Sequence, residues 1–423
     1  MNTSLGEPAS MPMVAQRAGA MYDQVARARF VGRAGKALAV GWAPGRVNLI
    51  GEHTDYSEGY VLPAAIDRMV ALAGRAEDEP YATLYSAHHH AWASISLAAS
   101  DDDGAGDDTI PLWARYIQAT WRQLALAAAT PACLGFSAAI YGDVPVGGGL
   151  SSSAALEVAT AMFARALGGA ELPAMTTARL CQRAEQEGAD VQVGIMDQAA
   201  SCLGRPDHAI LLDCRTLEAS YIAMNMPDVT WVVFDTQTPH SLAASEYNIR
   251  RAQCEAAVAR IAPALAGQTP GRRIATLRDV TASDLDRYGS LLDDTLFRRA
   301  RHVVTENERT LRAAEALRAG DAARFGALMN MSHASLRDDY AVSSMELNAA
   351  VEIAVGTPGT LGARMMGAGF GGSILALVRR DALAQLRSRL TADYPRATGR
   401  SGELFDECAI TGRTGARAAS GPA

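Results

Sequence analysis

Lysine is almost missing from this chain: of 39 basic residues, 38 are arginine and one, Lys36, is lysine. A Walker-type phosphate loop is thereby excluded, because it requires Gly-Lys followed by Ser or Thr, and Lys36 precedes Ala37. Schiff-base catalysis would have to rest on Lys36 alone. Any nucleotide phosphate must be held by backbone amides, arginine or a metal ion. The six cysteines, Cys133, Cys181, Cys202, Cys214, Cys254 and Cys408, form no C-x-x-C pair and no cluster. That spacing argues against zinc-ribbon and dithiol redox chemistry and reads as scattered reduced thiols.

Other classes fall on similar grounds. With 46 acidic residues against 39 basic ones the formal net charge is −7, so nucleic acid is not an expected partner. The longest uncharged stretch, Gln123 to Gly142, is divided by Pro131 and Gly135 into a helix end and a strand, and no membrane association is expected. Glu7, Pro8 and Pro12 interrupt the place where a signal-peptide core would lie, which gives a cytoplasmic expectation. Gly-x-Ser-x-Gly is absent around the serine run, so nothing points to a Ser/His/Asp hydrolase. The triplet His88 to His90 has no carboxylate or cysteine at metal-ligand spacing and reads as a strand-edge loop.

What is present is an ordinary globular composition, 49% hydrophobic and 20% charged, at a length that suggests two or three domains at about 150 residues each. We expect residues 1–26 to form a loosely ordered leader, 27–215 an N-terminal lobe, 216–410 a C-terminal α+β lobe and 411–423 a flexible tail. Short apolar runs such as Val61 to Ile66 and Met69 to Ala73 make residues 37–96 strand-rich. The acidic segment Asp101 to Asp108 reads as a solvated loop. Helical patterns follow from Leu112 to Leu124, Ala154 to Leu167 and Thr177 to Gln186, with an apolar strand, Phe136 to Tyr141, between the first two. After strands at Ala209 to Asp213 and Trp231 to Asp235 come long Arg- and Ala-rich helices, Tyr247 to Ala262, which Pro263 should stop, and Leu296 to Leu317. Strand signals close the chain at Ala363 to Met366, Ser373 to Val378 and Leu404 to Ile410.

Three segments carry chemistry. Gly142 to Leu156 reads GDVPVGGGLSSSAAL after an apolar strand and before an amphipathic helix. Its glycines let backbone N–H groups converge on an anion, and the helix N-terminus adds unpaired N–H groups and a positive dipole end. A lone glycine triplet would read as a turn; Pro145, the serine run and the following helix favour a phosphate site. Ser151, Ser152 or Ser153 can cap that helix, and one hydroxyl can reach a nucleotide-bound Mg²⁺.

Ala43 to Ile66 brings Arg46, Asn48, Glu52, His53 and Asp55 within ten positions. Carboxylates and imidazole so close together suit a polyhydroxylated ligand, although His53 by itself reads as a core histidine. In Cys181 to Gln198, Glu185 lies near a helix end and Asp197 follows Gly194, Ile195 and Met196. Glu185 could hold a metal while Asp197 faces a nucleophilic hydroxyl, the division of labour that phosphoryl transfer requires. Gly367 to Gly372 is a further glycine-rich loop, and Tyr247 could offer a phenol to a ligand.

Taken together, PGRVNLIGEHTDY at Pro44 to Tyr56, PVGGGLSSSAALEVA at Pro145 to Ala159, GIMDQ at Gly194 to Gln198, HSLAASEYNIRRAQCE at His240 to Glu255, SLRDDY at Ser335 to Tyr340 and GARMMGAGFGG at Gly362 to Gly372 resemble, in order, the galactokinase family of the GHMP small-molecule kinases. The resemblance spans about Phe30 to Val378. It implies an α+β, two-lobed GHMP kinase fold with mixed sheets and helices and the active site in the interlobe cleft. The implied reaction is ATP-dependent phosphorylation of the anomeric hydroxyl of α-D-galactose, giving galactose 1-phosphate and ADP.

Carried over position by position, Asp197 matches the catalytic aspartate, as proton acceptor or orienting group, and Arg46 the arginine beside it. Glu52, His53, Asp55, Gly194 and Tyr247 match the sugar site. Pro145, Gly147, Gly148, Gly149, Leu150, Ser151 and Ser152 match the ATP site, and Ser153 and Glu185 the Mg²⁺ ligands. Ser57, Gln192-Val193, Ser344 and Ser373 depart from the common pattern. The Gln192-Val193 change adjoins Gly194 and bears on sugar tolerance. The alternatives are a kinase for a related sugar, N-acetylgalactosamine or a uronic acid, and a non-catalytic galactose and ATP sensor. The intact serine loop, Arg46 and Asp197 argue against the sensor.

Overall fold

The computed structural model describes residues 11–29, 37–97, 109–133, 135–238, 243–266, 273–405 and 412–418. The expectations for Lys36, Asp101 to Asp108, His240 and residues 406–410 lie outside them.

The segment from Pro44 to Tyr56 runs out of a six-stranded sheet ordered β13-β1-β3-β6-β4-β5. Its strands are β1 (Ala39–Asn48), β3 (Pro63–Glu77), β4 (Tyr81–Ser86), β5 (Ala91–Ser96), β6 (Gly135–Gly142) and β13 (Gly415–Ala418). All ten residues of β1 are buried because helices cover both faces, α1 (Met13–Arg29) on one and α3 (Ser152–Ala166) on the other. The two apolar runs at Val61 to Ile66 and Met69 to Ala73 merge largely into the single strand β3. Its register against β1 shifts between Pro44 and Arg46, an irregularity of the kind that re-aims a side chain beside a functional site. His88 to His90 lie in the turn between β4 and β5, as their lack of partners suggested.

Helices α2 (Leu112–Leu126), α4 (Ala174–Ala189) and α5 (Met196–Leu203) complete this half. A three-stranded sheet of β2 (Tyr60–Val61), β7 (His208–Asp213) and β8 (Ala219–Ala223) adjoins it. The boundary expected near residue 215 therefore falls inside the β7–β8 hairpin, whose strands stay in one sheet.

The second half is built on a four-stranded antiparallel sheet, β10 (Thr360–Met365), β11 (Ser373–Arg379), β9 (Val229–Asp235) and β12 (Glu403–Phe405). Residues along β9 and β11 alternate between two cores: Trp231, Val233, Leu375 and Leu377 join the core shared with the first half, whereas Val232, Phe234, Ile374 and Ala376 face the C-terminal helices. A period-two strand buried on both faces is what a continuous apolar run signals. Those helices are α6 (Ala243–Ala266), α7 (Ala282–Tyr288), α8 (Asp294–Arg318), α9 (Ala322–Asp338), α10 (Met345–Val355) and α11 (Leu383–Thr398).

Three expectations are corrected. The leader includes α1, whose Val14, Ala15, Ala18 and Tyr22 pack against β1, β3 and β6; the Tyr22 hydroxyl lies 2.8 Å from Ser137 Oγ. The tail includes β13, paired antiparallel with β1. Pro263 does not stop α6, which continues to Ala266 with the proline inside it. No described helix is long and apolar enough to cross a membrane.

Candidate active site

β1 delivers Arg46 to the base of the site, and the turn after Ile195 starts α5 with Asp197 in its first turn. The two meet in a fork: Arg46 Nε donates to Asp197 Oδ1 and Nη2 to Oδ2, both at 2.8 Å. Arg46 is enclosed, with a side chain 4% exposed, while Asp197 is open at 29%. Burial works against the charge on Arg46, but Asp197, Glu52 and Asp55 outweigh it and hold its pKa above the ordinary value. The third arm, Nη1, donates to Gly149 O at 2.6 Å, tying the acid to the glycine loop.

That loop runs from β6 into α3. Gly147 and Gly149 adopt φ of 75° and 73°, which only glycine takes without cost. Ser151 is the cap position of α3, also left-handed at φ 59°. Its hydroxyl donates to Asp197 Oδ2 at 2.5 Å, a contact the sequence did not disclose. Pro145, Gly147, Gly148, Gly149, Leu150 and Ser152 lie together along this loop, and Ser373 Oγ donates to Gly148 O at 2.6 Å from the C-terminal sheet.

Ser153 hydrogen-bonds Glu185 across from α3 to α4. Burial first, then the charge of Asp197, pushes the Glu185 carboxyl up to about 7. Gln198 Nε2 bridges two carboxylates, donating to Glu185 Oε2 at 2.5 Å and to Glu157 Oε2 at 3.0 Å. Burial, reinforced by Glu185, raises Glu157 well above the carboxylate range. No group of three or more His, Cys, Asp or Glu suited to hold a metal exists among the described residues.

The second constellation gathers on the other side of Asp197. The Asp55 carboxylate accepts from Tyr56 N at 3.0 Å and Met196 N at 3.4 Å. Burial and then Asp197 push it up to about 6. Gly194 packs against it, and the Gly194 N–H donates to the Tyr247 hydroxyl at 3.4 Å. Glu52 Oε1 accepts from Gly367 N at 2.9 Å and Arg364 Nη1 at 3.3 Å, so GAGFGG is a positioning loop rather than a bare turn.

His53 departs from its expected place as a sugar contact. Both ring nitrogens already have protein partners, Nδ1 with Tyr56 Oη at 2.9 Å and Nε2 with Ala368 O at 3.1 Å. The ring is 4% exposed, and burial followed by repulsion from His302 lowers its pKa to about 3.

Behind Glu52 runs a buried charge network linking the two halves. Arg364, fully buried, also donates to Asn48 O at 2.8 Å and Ser332 Oγ at 3.3 Å. Ser332 Oγ donates a hydrogen bond to Glu306 Oε1 at 2.6 Å, which also accepts from Gly51 N at 3.1 Å. Burial opposes ionisation of Glu306, yet Arg309, His302 and Arg364 hold its carboxyl down to about 2. Arg364 and Tyr340 lay inside quoted motifs but carried no assigned role; nothing local marks either as buried.

The comparisons agree along the chain. The galactokinase galactose-binding signature matches residues 28–76, the GHMP kinases N-terminal domain 115–205 and the GHMP kinases C-terminal model 313–396. A galactokinase of Chloroflexus aggregans is 45% identical, covering 85% of this chain and 88% of the relative. That of Homo sapiens is 41% identical over 83% and 86%. The crystal structure of Lactococcus lactis galactokinase complexed with galactose superposes with a TM-score of 0.84 at 33% identity, covering 94% of this chain and 99% of that one. A mevalonate kinase of Methanococcus jannaschii, at 17% identity and TM-score 0.59, shares the fold. The chain belongs to the galactokinase family and has the α+β fold of the GHMP kinases.

Proposed function

We propose that this enzyme transfers the γ-phosphoryl group of ATP to the anomeric hydroxyl of α-D-galactose, giving galactose 1-phosphate and ADP. The observation that carries the reading is the position of Asp197, held by Arg46 and Ser151 between the glycine loop on one side and Asp55 on the other.

In this reading the loop amides from Gly147 to Ser152 and the N-terminus of α3 receive the phosphates, which fits a chain with almost no lysine. Asp197 accepts from or orients the attacking hydroxyl; Arg46 grips that carboxylate through its fork and neutralises charge developing on the transferring group. Glu52, Asp55, Gly194 and Tyr247 line the sugar subsite, with His53 shaping it from behind. Accurate placement of the hydroxyl against the phosphorus supplies most of the catalysis in such a loose transition state.

Ser153 and Glu185 are assigned to Mg²⁺. The donor set fits: a hydroxyl and a carboxylate oxygen are hard ligands, and substrate phosphates complete such sites. Glu185 is also raised by the neighbouring charge of Asp197, a repulsion that a cation there would relieve. Bound to the nucleotide, Mg²⁺ supplies charge neutralisation on the phosphate oxygens. Among the described residues Cys181, Cys202, Cys214 and Cys254 are buried thiols outside any disulfide, which supports a reducing, cytoplasmic setting.

The test is ADP release by purified protein with ATP and Mg²⁺ across a panel of galactose, N-acetylgalactosamine, galacturonic acid and glucose, compared by kcat/KM. Galactose should give the highest value. Preference for another sugar would reassign the substrate, and binding without turnover would reject the kinase reading.

A further inference from the structure

We infer that Tyr340 is a positioning residue for the sugar-binding carboxylates, acting through a directed hydrogen-bond chain that runs Cys254, Tyr340, Tyr56, His53, Ala368. The kinetic part of the inference rests on the galactose reading above.

The direction of the chain follows from its last member. Ala368 O can only accept, so the hydrogen of the neutral His53 ring sits on Nε2 and Nδ1 is left bare. A bare Nδ1 requires a donor, and the Tyr56 hydroxyl at 2.9 Å supplies it. Tyr56 has then spent its one hydrogen. Its 2.5 Å contact with Tyr340 must carry the Tyr340 hydrogen, and the Tyr340 oxygen accepts from the Cys254 thiol at 3.2 Å. Each proton is fixed by the one before it, and such chains polarise one another in a buried setting.

The chain acts on the site through the residues it holds. Tyr56 is the residue whose N–H donates to Asp55 Oδ1, and Ala368 follows Gly367, whose N–H donates to Glu52 Oε1. Tyr56, in the middle of the chain, and Ala368, at its end, thus each fix a backbone donor to a sugar-site carboxylate. His53 sits at φ 60°, a conformation a non-glycine residue keeps only where its partners over-determine it. Its ring lies tilted against those of Tyr340 and Tyr247, with centroids 4.9 Å and 5.5 Å away. Tyr340 itself is 0% exposed, so its effect on ligand passes through Tyr56 and His53.

The experiment compares Tyr340→Phe and Tyr56→Phe with Tyr394→Phe in the full chain. Tyr394 also has a buried hydroxyl, donating to Thr236 O at 2.9 Å, but lies outside the chain. Tyr340→Phe removes the donor to Tyr56 along with the acceptor for Cys254, and loss of that donor should raise the galactose KM about three- to tenfold, with ATP KM and kcat within about twofold of wild type. Tyr394→Phe should lose comparable thermal stability with no change in galactose KM. An unchanged KM in Tyr340→Phe, or the same rise in Tyr394→Phe, overturns the inference. A second readout needs neither substrate nor variant: ¹⁵N NMR of histidine-labelled wild-type protein should show His53 protonated at Nε2 alone. Protonation at Nδ1 overturns the chain even in an enzyme that phosphorylates another sugar. Failure of the wild type to use galactose, with the Nε2 tautomer present, sinks the functional reading and leaves the chain standing.

Discussion

Asp55 occupies the space where a side chain on residue 194 would begin: a Cβ placed on Gly194 would lie 1.9 Å from Asp55 Oδ2. The glycine is required by that close approach, because its φ does not lie in the left-handed region. Gly194→Ala should therefore fold but displace the carboxylate. We expect the galactose KM to rise about tenfold or more, the scale of one lost hydrogen bond to a charged group, with the ATP KM unchanged. Steady-state kinetics with each substrate varied checks this, and an unchanged galactose KM would remove Asp55 from the sugar site.

Asp197→Asn keeps size and one acceptor for Arg46 while removing the charge. The turnover number should fall by about a thousandfold, within the range for loss of an acid–base or electrostatic group. Nucleotide affinity should stay near wild type. Calorimetric titration with ATP alongside kcat separates the two, and a kcat near wild type would take Asp197 out of its role.

The pH dependence has a definite sign. The Asp55 carboxyl is raised from 3.8 to about 6 in the folded protein. Across that window the folded state retains a proton that the unfolded chain has lost, so this group favours folding at the acid end and progressively less as pH climbs to 6. Binding runs the other way, since a sugar hydroxyl needs the ionised acceptor. The galactose kcat/KM should drop on acidification below about 6, approaching tenfold per pH unit. Asp55→Asn, already weak, should lack that limb.

The Glu52, Arg364 and Glu306 network bears on stability more than on chemistry. Arg364→Met strands Glu52 and should cost about 3–5 kcal/mol, as when one partner of a buried ion pair is removed. Urea denaturation measures it; a change below 1 kcal/mol, itself about the value of an exposed pair, would mean the network is not closed.

Tyr22→Ala removes a side chain 3% exposed between α1 and the sheet. A loss of about 3 kcal/mol is expected, typical of a large aromatic truncated in a core. A thermal midpoint equal to wild type would return the segment to the status of a loose leader.

The order of elements around the loop from Pro145 to Ser152 was legible in the sequence because local rules decide it: an apolar strand, glycines free to take positive φ, then a helix, although Ser151 spends its hydroxyl on Asp197 rather than on capping. The alternation of β9 and β11 was visible as apolar runs for the same reason. The density of charged residues from Arg46 to Asp55 beside Val47, Leu49 and Ile50 was legible as well, and the structure brings the charges of Glu52 and Asp55 to bear on Arg46.

Tertiary structure alone decided which of those groups are free to act. His53 looked like a sugar contact until its nitrogens met Tyr56 and Ala368, the latter 315 positions away. Arg364 was one arginine among 38, and only packing across the two halves buries it against Glu52. Helix α1 was unreadable because its buried face, Val14, Ala15, Ala18, Gly19 and Tyr22, is mostly small residues and gains its value from the strands beneath it. Chain-local physics fixes backbone conformation and hydrogen-bond inventory; partners hundreds of residues apart determine where each proton and charge resides.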